Sequence, residues 1–153
     1  MSDVTIRQVE ARDICALAQM VGALAQYHGD VPGTCETALR RDCLGAAPWL
    51  LVWVAEKGNG LVGYAACQRR VQMQFGSRGA DLHHLFVESE QRGGGIGAAL
   101  VDAATGWAGG VGCGYMVVGA EPDNHRAHAF YLGLGFQQVA IDAAQFWRPL
   151  EAR

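Results

Sequence analysis

Apolar and polar positions change period along the chain, and each change marks an element. Val4 to Val9 reads as a short first strand. Ile14, Leu17, Val21 and Leu24 then recur at spacings of three and four, the buried face of a helix with Asp13 near its start and Gly29 and Pro32 beyond its end. Thr34 is the expected N-cap of a second short helix reaching Cys43. Leu50 to Ala55 is nearly all apolar, Lys57-Gly58-Asn59-Gly60 is a turn, and Leu61 to Arg70 returns as its hairpin partner. A further turn spans Gly76 to Gly79, followed by a fourth strand from Asp81 to Val87. Ile96, Leu100, Ala104 and Trp107 trace a third helix that ends at Gly109-Gly110. Tyr115 to Gly119 is a fifth strand, Asn124 to Leu132 a fourth helix, and Gln137 to Ile141 and Gln145 to Arg148 are expected closing strands.

The order is β-α-α-β-β-β-α-β-α-β-β. It predicts an α/β fold with a mixed, mostly antiparallel central sheet flanked by helices. No internal repeat or linker interrupts the 153 residues, so residues 1–153 are expected to form a single domain. Half the residues are hydrophobic and 18% are charged, a globular composition. The net charge of −3 provides no electrostatic footprint for nucleic acid. Arg69 and Arg70 read as the end of a solvated strand.

Cys15, Cys35, Cys43, Cys67 and Cys113 are odd in number and contain no Cys-x-x-Cys pair, which argues against a disulfide framework or a zinc ribbon. His125 and His128 have chelating spacing but no third ligand in pattern, so no metal is expected. No apolar run reaches ~18 residues and no leader-like stretch precedes Thr5; no membrane partner and a cytoplasmic location are the expectation.

The chemistry concentrates in Leu85-Phe86-Val87-Glu88-Ser89-Glu90-Gln91-Arg92-Gly93-Gly94-Gly95-Ile96-Gly97-Ala98. A strand leads through a polar connection into a glycine-dense turn and a helix N-terminus. Backbone N–H groups there can approach an anion closely, helped by the helix dipole. The stretch reads as a phosphate cradle. A dinucleotide fingerprint, Gly93-x-Gly95-x-x-Ala98 with Glu121 downstream, fits locally. Only one βαβ unit surrounds it, however, and the connection from Glu88 to Arg92 is no tight turn.

Arg92-x-x-Gly95-x-Gly97-Ala98 resembles the acyl-CoA pyrophosphate loop of the GCN5-related N-acetyltransferases (GNAT). Asn124-x-x-Ala127-x-x-x-Tyr131 followed by Gly135-Phe136 is similar to the last helix of that family. The resemblance implies the GNAT fold and acetyl-CoA as cosubstrate. It implies contacts from Leu85, Phe86, Val87, Arg92, Gly93, Gly94, Gly95, Ile96, Gly97 and Ala98, with Asn124, Ala127 and Tyr131 along the pantetheine arm. Within the family the chain looks most like the diamine (spermidine/spermine) acetyltransferases, through Leu24-Ala25-x-Tyr27, Leu39-x-x-Asp42, Leu85-Phe86-Val87, Phe130-Tyr131 and Trp147-Arg148. In that branch acidic residues bind the cationic acceptor. This chain departs there: His83 and His84 replace the acidic pair and His28 follows Tyr27.

The resemblance implies transfer of acetyl to a primary amine by direct attack, in an expected homodimer. Tyr131, with an ordinary phenol pKa of about 10, is the candidate acid for the departing thiolate. Amides around Phe86 and Val87 are candidates for polarising the thioester, provided the fourth and fifth strands splay apart. Strict alternation puts His83 and His84 on opposite faces, His83 with Asp81 and Leu85, His84 with Leu82 and Phe86. His83 is the expected base or end of a water relay, with Glu121 as substitute, and Tyr27, His28, His83 and His84 are the expected acceptor contacts. Other functions left open are acetylation of a protein or peptide amine, and a catalytically silent acyl-CoA-binding module.

Overall fold

β1 (Val4–Gln8) opens the computed structural model, which describes residues 3–141 and 143–151. A 3₁₀ turn over Ala11–Asp13 leads into α1 (Ile14–Tyr27), and α2 (Glu36–Cys43) follows. β2 (Leu51–Lys57), β3 (Gly60–Gln72) and β4 (Ser77–Val87) form an antiparallel meander. α3 (Ile96–Gly110) crosses to β5 (Cys113–Val118), which pairs parallel to β4. The sheet order is β1-β2-β3-β4-β5, a mixed sheet flanked by helices. α4 (His125–Gly133) comes last. The chain divides into two compact units, Met1–Gly119 and Ala120–Arg153.

In the first unit both faces of the sheet are covered, which is why β2 is apolar at nearly every position. Val52, Val54, Tyr64 and Ala66 pack with Ile14, Leu17, Met20 and Leu24 of α1 and Leu39 and Cys43 of α2. On the other face α3 buries Ile96, Leu100, Val101, Ala104 and Ala108, and Trp107 meets Trp53 at 5.8 Å between ring centroids. Each large aliphatic side chain so buried contributes about 1.5–3 kcal/mol.

A charged clamp ties the start of α1 to the sheet. Asp13, 5% exposed, takes two hydrogen bonds from the Arg7 guanidinium at 2.7 and 2.9 Å and one from the Glu10 N–H at 2.7 Å. Arg7 also donates to Glu56 at 2.9 Å. The Arg7 hydrogen bonds hold the Asp13 carboxyl below its ordinary pKa.

Several boundaries differ from the sequence expectation. Thr34 does not cap α2: the Leu39 N–H bonds to Cys35 O at 3.1 Å, so Cys35 takes the N-cap position, without a side-chain bond. The turn expected at Gly76 to Gly79 is shorter, because Gly76 alone adopts a left-handed φ of 58° and β4 begins at Ser77. The two closing strands are absent: 137–141 and 145–148 carry no strand, and Val139, Ile141, Phe146 and Trp147 are exposed. Their alternation supplies β propensity, but a strand exists only where a neighbouring edge accepts its backbone bonds.

Candidate active site

β4 is irregular where the site residues lie. Ala66 faces His84, but the next residue of β3, Cys67, faces Leu82, leaving His83 as an extra residue on β4. This β-bulge breaks the alternation. His83 and His84 therefore do not take opposite faces as strict alternation predicts. Their rings stack 4.2 Å apart at 13°. His84 joins the α1/α2 side with Tyr64 and Phe86, and Leu82 no longer shares that side.

The Tyr64 hydroxyl lies 3.0 Å from His84 Nδ1. Burial lowers the His84 pKa to about 4, assisted by His83 and by His28 at the end of α1. Burial likewise raises the Tyr64 phenol pKa. Both groups are neutral at pH 7. Tyr64 escaped the sequence reading; its signal was a lone hydroxyl within the apolar run of β3.

β5 runs beside β4 only as far as the Leu82–Val118 pair, so the two strands part before Leu85. Glu88 donates its N–H to Val62 O on the β3 side at 2.9 Å. Backbone alternation then turns the Val87 and Leu85 N–H groups to the opposite, open edge. The sequence points to free amides around Phe86 and Val87; Val87 and its neighbour Leu85 supply them, while Phe86 turns its N–H toward β3. The Val87 carbonyl accepts a 3.0 Å bond from Arg92 Nε.

After a 3₁₀ turn over Ser89–Gln91, Gly93 and Gly95 both adopt φ of 84°, a left-handed conformation that suits glycine. A Cβ added at either would meet no atom within 4 Å, so these glycines answer to backbone shape and the space around them is open. Gly95 is the N-cap of α3, and its carbonyl receives the Ala99 N–H at 3.0 Å. The N–H groups of Ile96, Gly97 and Ala98 precede any acceptor within the helix. The Ile96 side chain is buried and anchors the turn, while Gly94 is exposed. Lys57 donates to Gln91 at 3.1 Å and ties the end of β2 to the turn.

Arg92 connects this cradle to α1. Its guanidinium carbon lies 5.9 Å from the Tyr27 ring centroid, and Tyr27 meets His28 edge-on at 5.5 Å. The first unit thus brings together Tyr27, His28, His83, His84, Tyr64 and Arg92 beside the Gly93–Ala98 amides. Arg69, Arg70 and Arg78 are engaged elsewhere: Arg69 on Pro48 O and Trp107, Arg70 with Asp81, Arg78 on Val111 O.

In the second unit Asn124 caps α4, its Oδ1 accepting the Ala127 N–H at 3.1 Å. Tyr131 packs against Phe130 and Phe136 at centroid distances of 5.2 and 5.6 Å, and burial raises its pKa. His128 Nε2 lies 2.9 Å from the Glu121 carbonyl oxygen, and the Glu121 side chain is exposed. Among the described residues no group of three or more His, Cys, Asp or Glu is arranged to hold a metal.

Residues 18–136 match a known family, the acetyltransferase (GNAT) family. The chain belongs to the GNAT family. It is 29% identical to thialysine N-epsilon-acetyltransferase of Bos taurus over 149 residues, covering 91% of this chain and 87% of that protein. It is 35% identical to N-acetyltransferase 8F1 of Rattus norvegicus over 102 residues, 66% of this chain and 46% of that protein. This GNAT chain therefore spans less than half the length of the latter relative. Its fold is similar to an aminoglycoside acetyltransferase from an uncultured soil metagenomic sample in complex with sisomicin, with TM-score 0.77, 17% identity and 97% of each chain covered. It also resembles the ribosomal-protein-alanine N-acetyltransferase of Brucella melitensis biovar Abortus 2308, with TM-score 0.71 and 19% identity over 96% of this chain and 99% of that one.

Proposed function

We propose that this GNAT protein moves an acetyl group from acetyl-CoA to the primary amine of a small molecule by direct attack. The observation that carries the reading is the open β4 edge, with Leu85 and Val87 N–H groups free beside the Gly93–Ala98 cradle. The residues present suit the cosubstrate: the cradle offers amides and the Arg92 charge for a pyrophosphate, and the open edge offers donors for a carbonyl. Acetyl-CoA supplies the thioester acyl group. The Leu85 and Val87 amides polarise the carbonyl, and preorganised donors of this kind are worth roughly 3–4 kcal/mol. Tyr131 protonates the leaving thiolate, a role that its raised pKa supports by keeping the phenol protonated. The exposed His83 takes the amine proton directly or through water.

The acceptor end is histidine-rich, with His83 stacked on His84 and His28 at the end of α1 where an acidic acceptor site would carry carboxylates. This supports an amine that also carries a carboxylate or a neutral polar group over a polyamine. The bovine relative, a thialysine N-epsilon-acetyltransferase by name, supports a small-molecule amine. A homodimer is part of the proposal, and the exposed Phe146 and Trp147 offer apolar surface for it.

The test is thiol release from acetyl-CoA with a panel of amino acids, diamines, polyamines and peptides. Turnover on a small amine is the expected result. Turnover confined to peptides would move the reading to a protein acetyltransferase. Binding of acetyl-CoA without turnover on any amine would leave a silent acyl-CoA-binding module.

A further inference from the structure

We infer that Tyr64 sets the tautomer of His84, so that His84 meets the acceptor as a neutral N–H donor through Nε2 and selects amines that also carry a carboxylate. The inference rests on the acetyltransferase reading above and names the residues that give the acceptor site its selectivity.

Tyr64 is 1% exposed, inside the cluster formed by Ile14, Leu17, Val54 and Ala66, and its hydroxyl lies 3.0 Å from His84 Nδ1. Two arrangements share that distance. If Nδ1–H donated to the phenol, the phenol proton would need a second acceptor within an apolar core, at the cost of an unsatisfied buried donor. If the phenol donates to Nδ1, a single bond satisfies both groups. The imidazole proton then resides on Nε2, at the far side of the ring from Tyr64.

Burial keeps this imidazole uncharged, with a pKa near 4. The groups facing it are Tyr64 from β3, His83 stacked on it from β4, and His28 from the end of α1. An outward N–H donor among imidazoles suits an oxygen acceptor. It offers nothing to a second ammonium group. Tyr64 acts as a positioning residue, touching no substrate itself.

The experiment compares thialysine with bis(2-aminoethyl) sulfide, the same molecule without its carboxylate, in wild type and in His84→Leu, His84→Gln and Tyr64→Phe. In His84→Leu the KM for thialysine is expected to rise about tenfold more than that for the diamine, the scale of one hydrogen bond to a charged group. His84→Gln, whose amide can present an N–H near the Nε2 position, restores most of the difference. Nitrogen-15 NMR of the wild-type imidazole is expected to show the proton on Nε2, and Tyr64→Phe a mixture of tautomers. An Nδ1–H tautomer in wild type, or equal KM changes for both amines in His84→Leu, would overturn the inference. Absence of thiol release with either amine while acetyl-CoA still binds overturns the acceptor assignment and the selectivity together; the NMR spectrum still decides the tautomer.

Discussion

His83 and His84 are neighbours on one strand, yet their rings stack face to face at 4.2 Å. The bulge opposite Ala66 and Cys67 makes this possible and leaves His84 half-buried against Tyr64. Its pKa falls from 6.5 to about 4, so the folded protein binds fewer protons than the unfolded chain between those values. His84 therefore imposes no penalty above pH 6.5, and folding loses stability as pH falls from there through about 4. Urea titrations across this window should show His84→Gln losing less stability on acidification than wild type.

Tyr131→Phe should lower turnover by about 10²-fold, the usual scale for a positioned general acid, with acetyl-CoA affinity little changed. Steady-state kinetics beside calorimetric binding separates the two. Wild-type turnover in this variant would remove the proposed acid role.

Gly95→Ala places a side chain on a backbone with φ of 84°, a strain of roughly 1–2 kcal/mol for a non-glycine residue. Because the added Cβ meets no protein atom, any loss beyond that strain reports on the ligand. Acetyl-CoA affinity is expected to fall at least about tenfold by calorimetry, with only modest loss of melting temperature.

Removing the carboxylate in Asp13→Ala leaves Arg7 without its bidentate partner beside Glu56. Arg7 keeps Glu56 as a partner, so the expected loss is that of hydrogen bonds to a charged group, about 1.5–3 kcal/mol, to be read from chemical denaturation. Acetyl-CoA binding by the folded fraction should persist, since the pair stands apart from the cradle in the structure's contacts.

Gly79 lies beneath the Tyr115 ring, and a Cβ added there would come within 2.2 Å of its Cζ. Gly79→Ala should destabilise the protein by about 1–3 kcal/mol, and pairing it with Tyr115→Val should recover part of the loss. Tyr115→Phe alone should be neutral or stabilising, because the Tyr115 hydroxyl is buried without a hydrogen-bond partner. Thermal melts of the three variants check both statements.

Local chemistry made much of the fold readable. Helical spacing located α1 and α3, the Gly58-Asn59 turn located the β2–β3 hairpin, and the Arg92–Ala98 pattern located the cradle. Each depends on neighbours close in the chain: side-chain period, turn conformation and helix-end amides travel with the local sequence. Asn124 was equally legible as a helix start, and its side chain does cap α4.

Long-range pairing decided the remainder. The bulge at His83 exists only because Cys67 pairs with Leu82, a register that no period within β4 reveals. Which amides stay free, Leu85 and Val87, follows from where β5 stops and which side Glu88 bonds to. The partner of His84 is Tyr64, twenty residues earlier in the chain. The closing strands failed for the same reason, since alternation at Val139 and Ile141 cannot supply a partner edge. The amino-acid sequence by itself determined the helices, the β2–β3 hairpin and the glycine turn that opens α3, because their causes are local. Only the tertiary structure decided how two adjacent histidines face, because hydrogen bonds between distant strands set the register that aims them.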